Sequence, residues 1–356
     1  MRPKRLLNLA GDRLHALPLV VLYLTDGCNS RCVTCDIWRS PRRNMALDLA
    51  ATIVDASPAL GTRHVLLSGG EAMQHPHWLQ IAQMFRAAGV RVMLLTNGLL
   101  VRRQLEDVLA GVDELIVSLD AGTAPTYAAI RGVDAFDVVM DGIREACADG
   151  LPVITRTTVQ RANYREIPQI IETALAAGVA RVSFLTVDVS SQVAFGPRFE
   201  VDPALALVAA SGPGALPDHG PAAAALEAAD LPELAHTLDE VERRFSAAFA
   251  AGRISESPDK LRRMVDYFGS LLAQGDFPPP RCNAPHISTV IEVDGTLRPC
   301  YFLPASGRLS VGGSLAAAVN TPEALALRRA YRAGQRPECA RCVCPLYRGP
   351  RALLRM

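Results

Sequence analysis

The sequence predicts an α/β protein built on a parallel sheet, and three observations carry that reading. From residue 18 to about 187, short β-branched apolar runs alternate with helical patterns, as βα units do. The helical runs 136–148 and 165–177 stop at Gly150 and Gly178, as helix ends prefer. Polar and thiol residues fall just after successive strands, where parallel α/β sheets gather their sites. With 49% apolar residues in 356, the chain can bury a large core.

The strands are read at 19–24, 64–67, 91–95, 114–119, 153–159 and 181–187, with helices at 46–57, 77–88, 136–148 and 165–177. This pattern suits either a flat doubly wound sheet or an open partial barrel. Residues 190–230 lapse into Pro, Gly and Ala, as in Ser211-Gly212-Pro213-Gly214, and read as a surface connection. Helices are expected at 232–250, with apolar Leu234, Leu238, Val241, Phe245 and Phe249 on one face, and at 258–273. After Pro278-Pro279-Pro280, the runs 287–293 and 296–303 flank Asp294-Gly295, a two-residue hairpin signal. The expected divisions are 1–187, a helical bridge 188–277, and a C-terminal unit 278–356.

A net charge of +1 without long single-sign blocks gives no reason to expect nucleic acid or an anionic membrane as partner. Arg2, Lys4 and Arg5 ahead of the apolar run 17–24 imitate a secretion signal, but Asp12 and Arg13 interrupt it and no small-residue cleavage site follows. No stretch reaches the roughly 18 apolar residues of a membrane span. A cytoplasmic protein is expected, and in a reducing compartment nine cysteines read as metal ligands rather than disulfides.

Cys28, Cys32 and Cys35 lie close together, and Cys282, Cys300, Cys339, Cys342 and Cys344 gather near the end. Three thiolates hold three corners of an iron–sulfur cluster or three positions around zinc, and no neighbouring residue supplies a fourth ligand. Cys147 stands alone in an Ala-rich helical pattern and reads as an inert thiol. Further candidates follow the strands: Ser68-Gly69-Gly70-Glu71, Thr96-Asn97-Gly98, Ser118-Leu119-Asp120, and Arg156 within the fifth. His75 and His77 read as loop packing or helix capping, not as ligands. No residue stands out as a general base.

Cys28-x3-Cys32-x2-Cys35 after the first strand, followed by Gly69-Gly70-Glu71 after the second, resembles the radical S-adenosylmethionine (SAM) superfamily. The resemblance spans 18 to about 187 and implies a partial (β/α)6 barrel. It implies that Cys28, Cys32 and Cys35 bind a [4Fe–4S] cluster whose fourth iron is chelated by SAM, and that a 5′-deoxyadenosyl radical removes hydrogen from substrate. Gly69, Gly70 and Glu71 would face the methionine moiety, Glu71 accepting from its ammonium. Arg156 would pair with its carboxylate, while Asn97 and Ser118 would reach the ribose or substrate. The family usually has an aromatic residue before the third cysteine; here it is Thr34, leaving adenine packing to Ile37 or Trp38.

Cys282, Gly295-x4-Cys300 and Cys339-x2-Cys342 are similar to the SPASM and twitch auxiliary domains of that superfamily, a small α+β unit. Five cysteines supply one auxiliary [4Fe–4S] cluster, held by Cys282, Cys300, Cys339 and Cys342, with Cys344 spare or a substitute. Zinc is the alternative occupant of such a thiolate set. The implied reaction is a dehydrogenation of a small molecule, in which an auxiliary cluster takes an electron from the substrate radical. Modification of a ribosomal peptide and a redox-neutral epimerase, lyase or mutase are alternatives. The short stretch before the first strand leaves no room for a leader-binding domain, which favours the small molecule. A reductant such as flavodoxin or ferredoxin is the implied partner.

Overall fold

A computed structural model describes residues 2–189 and 221–355. The connection expected at 190–230 lies mostly outside them. Six parallel strands form where the apolar runs stand: β1 (Leu19–Thr25), β2 (His64–Gly69), β3 (Arg91–Thr96), β4 (Glu114–Ser118), β5 (Val153–Val159) and β6 (Arg181–Thr186). Their spatial order is their chain order, each strand adding to the same side of the last. A doubly wound sheet reverses direction at a switch point, and this one does not. Crossovers of one hand then place every helix on one face, and the sheet curls into an open partial barrel.

The helices are α1 (Arg2–Ala10), α2 (Leu47–Leu60), α3 (Trp78–Ala87), α4 (Leu105–Gly111), α5 (Ala124–Arg131), α6 (Phe136–Ala148) and α7 (Ile167–Ala176). Along β1, Val20, Leu22 and Leu24 are buried in the helix-facing core, whereas Leu19, Val21 and Tyr23 are half-buried on the face toward the lumen. The open edge at β6 is covered. Ile254 bridges Val182, and the Glu256 carboxylate accepts from Phe184 N at 2.8 Å and Ser183 Oγ at 3.2 Å.

The C-terminal hairpin extends the barrel sheet rather than starting another. β7 (Ser288–Ile291) pairs in parallel with β1, and β8 (Thr296–Arg298) and β9 (Gly307–Arg308) follow antiparallel, making nine strands. The helix expected at 232–250 is two, Leu231–Arg244 and Ser246–Ala250, broken at Phe245, whose backbone leaves helical geometry. The first packs on α7, where the Tyr164 hydroxyl meets Asp230 and Glu233 and Arg165 pairs with Glu233. Helix Pro258–Leu271 packs beside it, capped by Ser257. No helix among the described residues is long and apolar enough to cross a membrane.

Candidate functional site

The loop carrying Cys28, Cys32 and Cys35 leaves the C-terminal end of β1 and is tied at its base. Asp26 N donates to Arg43 O, Met45 N donates to Leu24 O, Thr25 bridges Asn44, and the buried Asp26 carboxylate accepts from Arg43 Nε at 2.8 Å. Burial raises the Asp26 pKa, against the pull of Arg43. The loop is thus a closed excursion, with its three thiols at the rim.

Two neighbours clamp it. On one side, Arg31 N donates to Arg131 O and Val33 N to Ile130 O, docking the loop on the last turn of α5. Gly132, with φ +66, follows against the Arg31 carbonyl, so a side chain there would meet both strain and backbone. On the other side, Gly70 N donates to Thr25 O and Glu71 N to Gly27 O. A Cβ on Gly70 would overlap the Gly27 carbonyl, which explains a glycine at this crossing of two loops.

Glu71, expected to accept from an ammonium, accepts from three protein donors. It is fully buried; Oε1 accepts from Thr96 Oγ1 at 2.8 Å and Met73 N at 3.1 Å, and Oε2 from Asn97 N at 2.8 Å. Burial raises its pKa despite these bonds. As placed, Glu71 ties the ends of β2 and β3. Asn97, expected at the ribose or substrate, donates from Nδ2 to Asn29 Oδ1 at 2.7 Å and lies 3.8 Å from Cys28 Sγ, so it braces the cysteine loop. Ser118 and Arg156 sit side by side on β4 and β5, and Arg156 Nε is buried with no hydrogen-bond partner. Trp38 Nε1 is likewise buried and unpartnered.

Burial pushes the Cys28 thiol up to about 11 and Cys35 to about 12, and each is raised further by its neighbouring thiols. Any metal taken up here must therefore displace protons. Arg131, which the sequence reading passed over, stands beside them with Nη1 3.4 Å from Cys32 Sγ and 3.3 Å from Asp120 Oδ2. Burial opposes its charge, but Cys32, Asp120 and Tyr127 outweigh that and raise its pKa. His75 is a packing residue: Nδ1 accepts from His77 N, so Nε2 donates to Met45 O.

The five C-terminal cysteines form a second group. Cys300 feels Cys282 and Cys339, and Cys342 feels Cys344, Cys300 and Cys282, while burial is the main cause raising the pKa of both. Tyr331 Oη donates to Cys282 O at 2.5 Å, and Asn283 zips to Leu346 and Arg348, bringing the last segment alongside. The Tyr301 ring, next to Cys300, lies 6.4 Å from Tyr23 on β1, so this group adjoins the barrel wall. Cys147 remains apart, partly buried beside Gly178.

As placed, no three His, Cys, Asp or Glu side chains among the described residues stand within metal-holding distance. The donor sets nevertheless fit clusters. Three thiols on a tied loop beside a buried cation suit a site-differentiated [4Fe–4S] cluster, and all nine cysteines are free of disulfides. The second group offers more than the four thiolates that a fully ligated cluster needs.

Residues 22–174 match the Radical SAM superfamily. An AdoMet-dependent heme synthase of Methanosarcina barkeri is 34% identical over 170 residues, 46% of this chain and 49% of that protein. A probable GTP 3′,8-cyclase of Saccharolobus islandicus is 34% identical over 169 residues, 46% of this chain and 55% of that one. The chain thus spans about half the length of these curated relatives. In fold, it is similar to Streptococcus suis SuiB bound to S-adenosylmethionine, with TM-score 0.63 and 13% identity over 97% of this chain and 76% of that one. It also resembles anSMEcpe with bound AdoMet, with TM-score 0.58 and 15% identity over 87% and 81%. The superfamily uses a four-iron cluster together with SAM, and three thiols on one tied loop are a donor set that fits such a cluster. The loop after β1 and most of the ordered half-barrel thus lie inside the span, residues 22–174, that carries the match to the Radical SAM superfamily.

Proposed function

We propose that this chain is a radical SAM oxidoreductase that dehydrogenates a small organic substrate at the barrel mouth, with 1–187 as catalytic barrel, 188–277 as bridge and 278–356 as auxiliary unit. A cluster on Cys28, Cys32 and Cys35 supplies the electron that cleaves SAM to a 5′-deoxyadenosyl radical. A fully thiolate-ligated cluster on Cys282, Cys300, Cys339 and Cys342 supplies an electron acceptor. The chain's own residues prepare the site: Gly69 and Gly70 admit close backbone approach, and the unpartnered Arg156 guanidinium offers a partner to the SAM carboxylate. Ser118 stands beside Arg156, within reach of the same ligand.

The observation that supports the oxidative reading is the contact between Tyr23 and Tyr301, 6.4 Å between ring centroids, which brings the neighbour of Cys300 against the barrel wall. A shallow open cleft joins β6 to that group, lined by Phe184, Thr186, Glu256, Lys260, Arg263 and Cys342 among others. With its cysteines read as cluster ligands, the chain would work in a reducing, cytoplasmic setting with a flavodoxin- or ferredoxin-like donor. A peptide substrate is the second reading, supported by fold likeness over 97% of the chain to SuiB bound to its precursor peptide SuiA.

Anaerobic reconstitution tests the proposal. About eight irons per chain are expected from two four-iron clusters, and 5′-deoxyadenosine should form under strong reductant. No 5′-deoxyadenosine would overturn the enzyme reading. About four irons would overturn the auxiliary cluster, and a product isomeric with its substrate would overturn the oxidation.

A further inference from the structure

Arg131 ends α5 and is only 8% exposed. Its guanidinium reaches three groups: Nη1 lies 3.4 Å from Cys32 Sγ and 3.3 Å from Asp120 Oδ2, and Nη2 donates to Ser118 O at 3.1 Å. Its backbone is fixed to the cysteine loop as well, through Arg31 N to Arg131 O at 3.0 Å. The last turn of α5 and the cysteine loop therefore hold one another, and the cation between them is set at a defined distance from one thiol of three.

We propose that Arg131 is a positioning residue for the cysteine site, holding Cys32 in place and making the cluster bound there easier to reduce. This rests on the reading of Cys28, Cys32 and Cys35 as cluster ligands. Reduction adds one electron and hence one negative charge to the cluster. Hydrogen bonds to cluster sulfurs and nearby charge are what set such potentials. A buried cation is poorly screened, so its attraction for the added electron is stronger than that of a surface arginine. Asp120 tempers it from the far side, and Ser118 O fixes the orientation of the fork. The positive group lies 3.4 Å from the Cys32 sulfur.

Removing Arg131 alone would strand the buried Asp120 carboxylate, so the decisive variant is Asp120→Asn with Arg131→Met. Asn keeps the acceptor that Thr158 N uses at 2.7 Å. The measurement is an anaerobic redox titration of reconstituted full-length protein, following the paramagnetic cluster signal that changes on adding SAM. At the wild-type midpoint, the double variant should show about tenfold less reduced over oxidised cluster, equal to about 59 mV more negative for one electron. Asp120→Asn alone, which leaves the cation unopposed, should move the midpoint the other way. A structural role alone does not produce opposite signs.

If the folded double variant loses the SAM-responsive cluster, that loss supports the positioning half of the proposal. Arg131→Lys should then restore iron and give a midpoint closer to wild type; failure of Lys to restore it overturns the charge argument. Full iron with an unchanged midpoint in the double variant overturns this proposal alone. Wild-type protein that takes up no iron at these cysteines overturns the cluster reading as well.

Discussion

Gly70→Ala should loosen the cysteine loop and cost it its iron. The alanine Cβ would lie 2.7 Å from the Gly27 carbonyl carbon and 3.0 Å from Asp26 O, both backbone atoms that cannot rotate away. Against an optimal carbon separation of ~3.5 Å, the two loops must part by most of an ångström. That movement stretches Glu71 N to Gly27 O at 2.8 Å and Gly70 N to Thr25 O at 2.7 Å, the two bonds that join them. Two weakened hydrogen bonds at ~0.5–1.5 kcal/mol each, with overpacking of ~1–3 kcal/mol, give a loss of about 2–6 kcal/mol. Gly70 does not occupy the left-handed region, so steric overlap is the whole effect. Urea unfolding of the metal-free chain reads the stability, and iron analysis after reconstitution reads the site. Gly11→Ala, with open space around it, is the neutral control. A Gly70→Ala protein with wild-type stability and full iron would refute the account of why these loops cross at a glycine.

Other expectations follow from individual groups. Glu71→Gln keeps one acceptor oxygen but turns an NH2 donor toward at least one of the three groups that donate to Glu71, and should cost about 1–3 kcal/mol in urea unfolding; an unchanged midpoint would remove Glu71 as the tie between β2 and β3. Glu256→Ala uncovers the β6 edge and should destabilise by about 1–3 kcal/mol, with faster hydrogen exchange at Phe184. Burial, then Arg328 and Arg332, push His286 down to about 4 from 6.5. Between those values, the unfolded chain binds more protons than the folded one, so this contribution is fully present above about pH 6.5 and is lost as pH falls through the window. The Tm should drop from pH 7 to 5, and less steeply in His286→Phe; parallel slopes would exclude the residue. Cys344→Ala should keep about eight irons while Cys342→Ala falls to about four; equal loss in both would make Cys344 a ligand.

Local chemistry wrote much of this molecule plainly. The six barrel strands begin where their β-branched runs begin, because each is buried on its helix-facing side and its register is fixed by apolar residues such as Val20, Leu22 and Leu24. The addition of β7 to β1 was not legible, since parallel pairing between residues so far apart leaves no local pattern. Phe245 continues the apolar spacing of its helix, so the break there has no sequence mark. Motif reading singled out Glu71 and Asn97, but the bonds that they make to Thr96, Met73 and Asn29 have no sequence mark. Buried arginines were hardest: Arg131 at a helix end, and Arg5, bonded to Gly61 O and Leu353 O, have the composition of a solvated face. Their burial depends on carbonyls and carboxylates supplied from elsewhere in the fold.

The pairing of β7 with β1 also bears on how the chain reaches its native state. Leu19 pairs with Ser288 and Leu22 with Ile291, so β1 is an open edge until nearly the whole polypeptide is available. Contacts that close so long a loop form slowly, and an unpaired apolar strand is vulnerable to intermolecular pairing meanwhile. The strand that carries the cysteine loop is therefore among the last to be enclosed. Slow refolding and aggregation from denaturant are the expected signatures, and an early truncation before residue 288 would leave the barrel with its most consequential strand exposed.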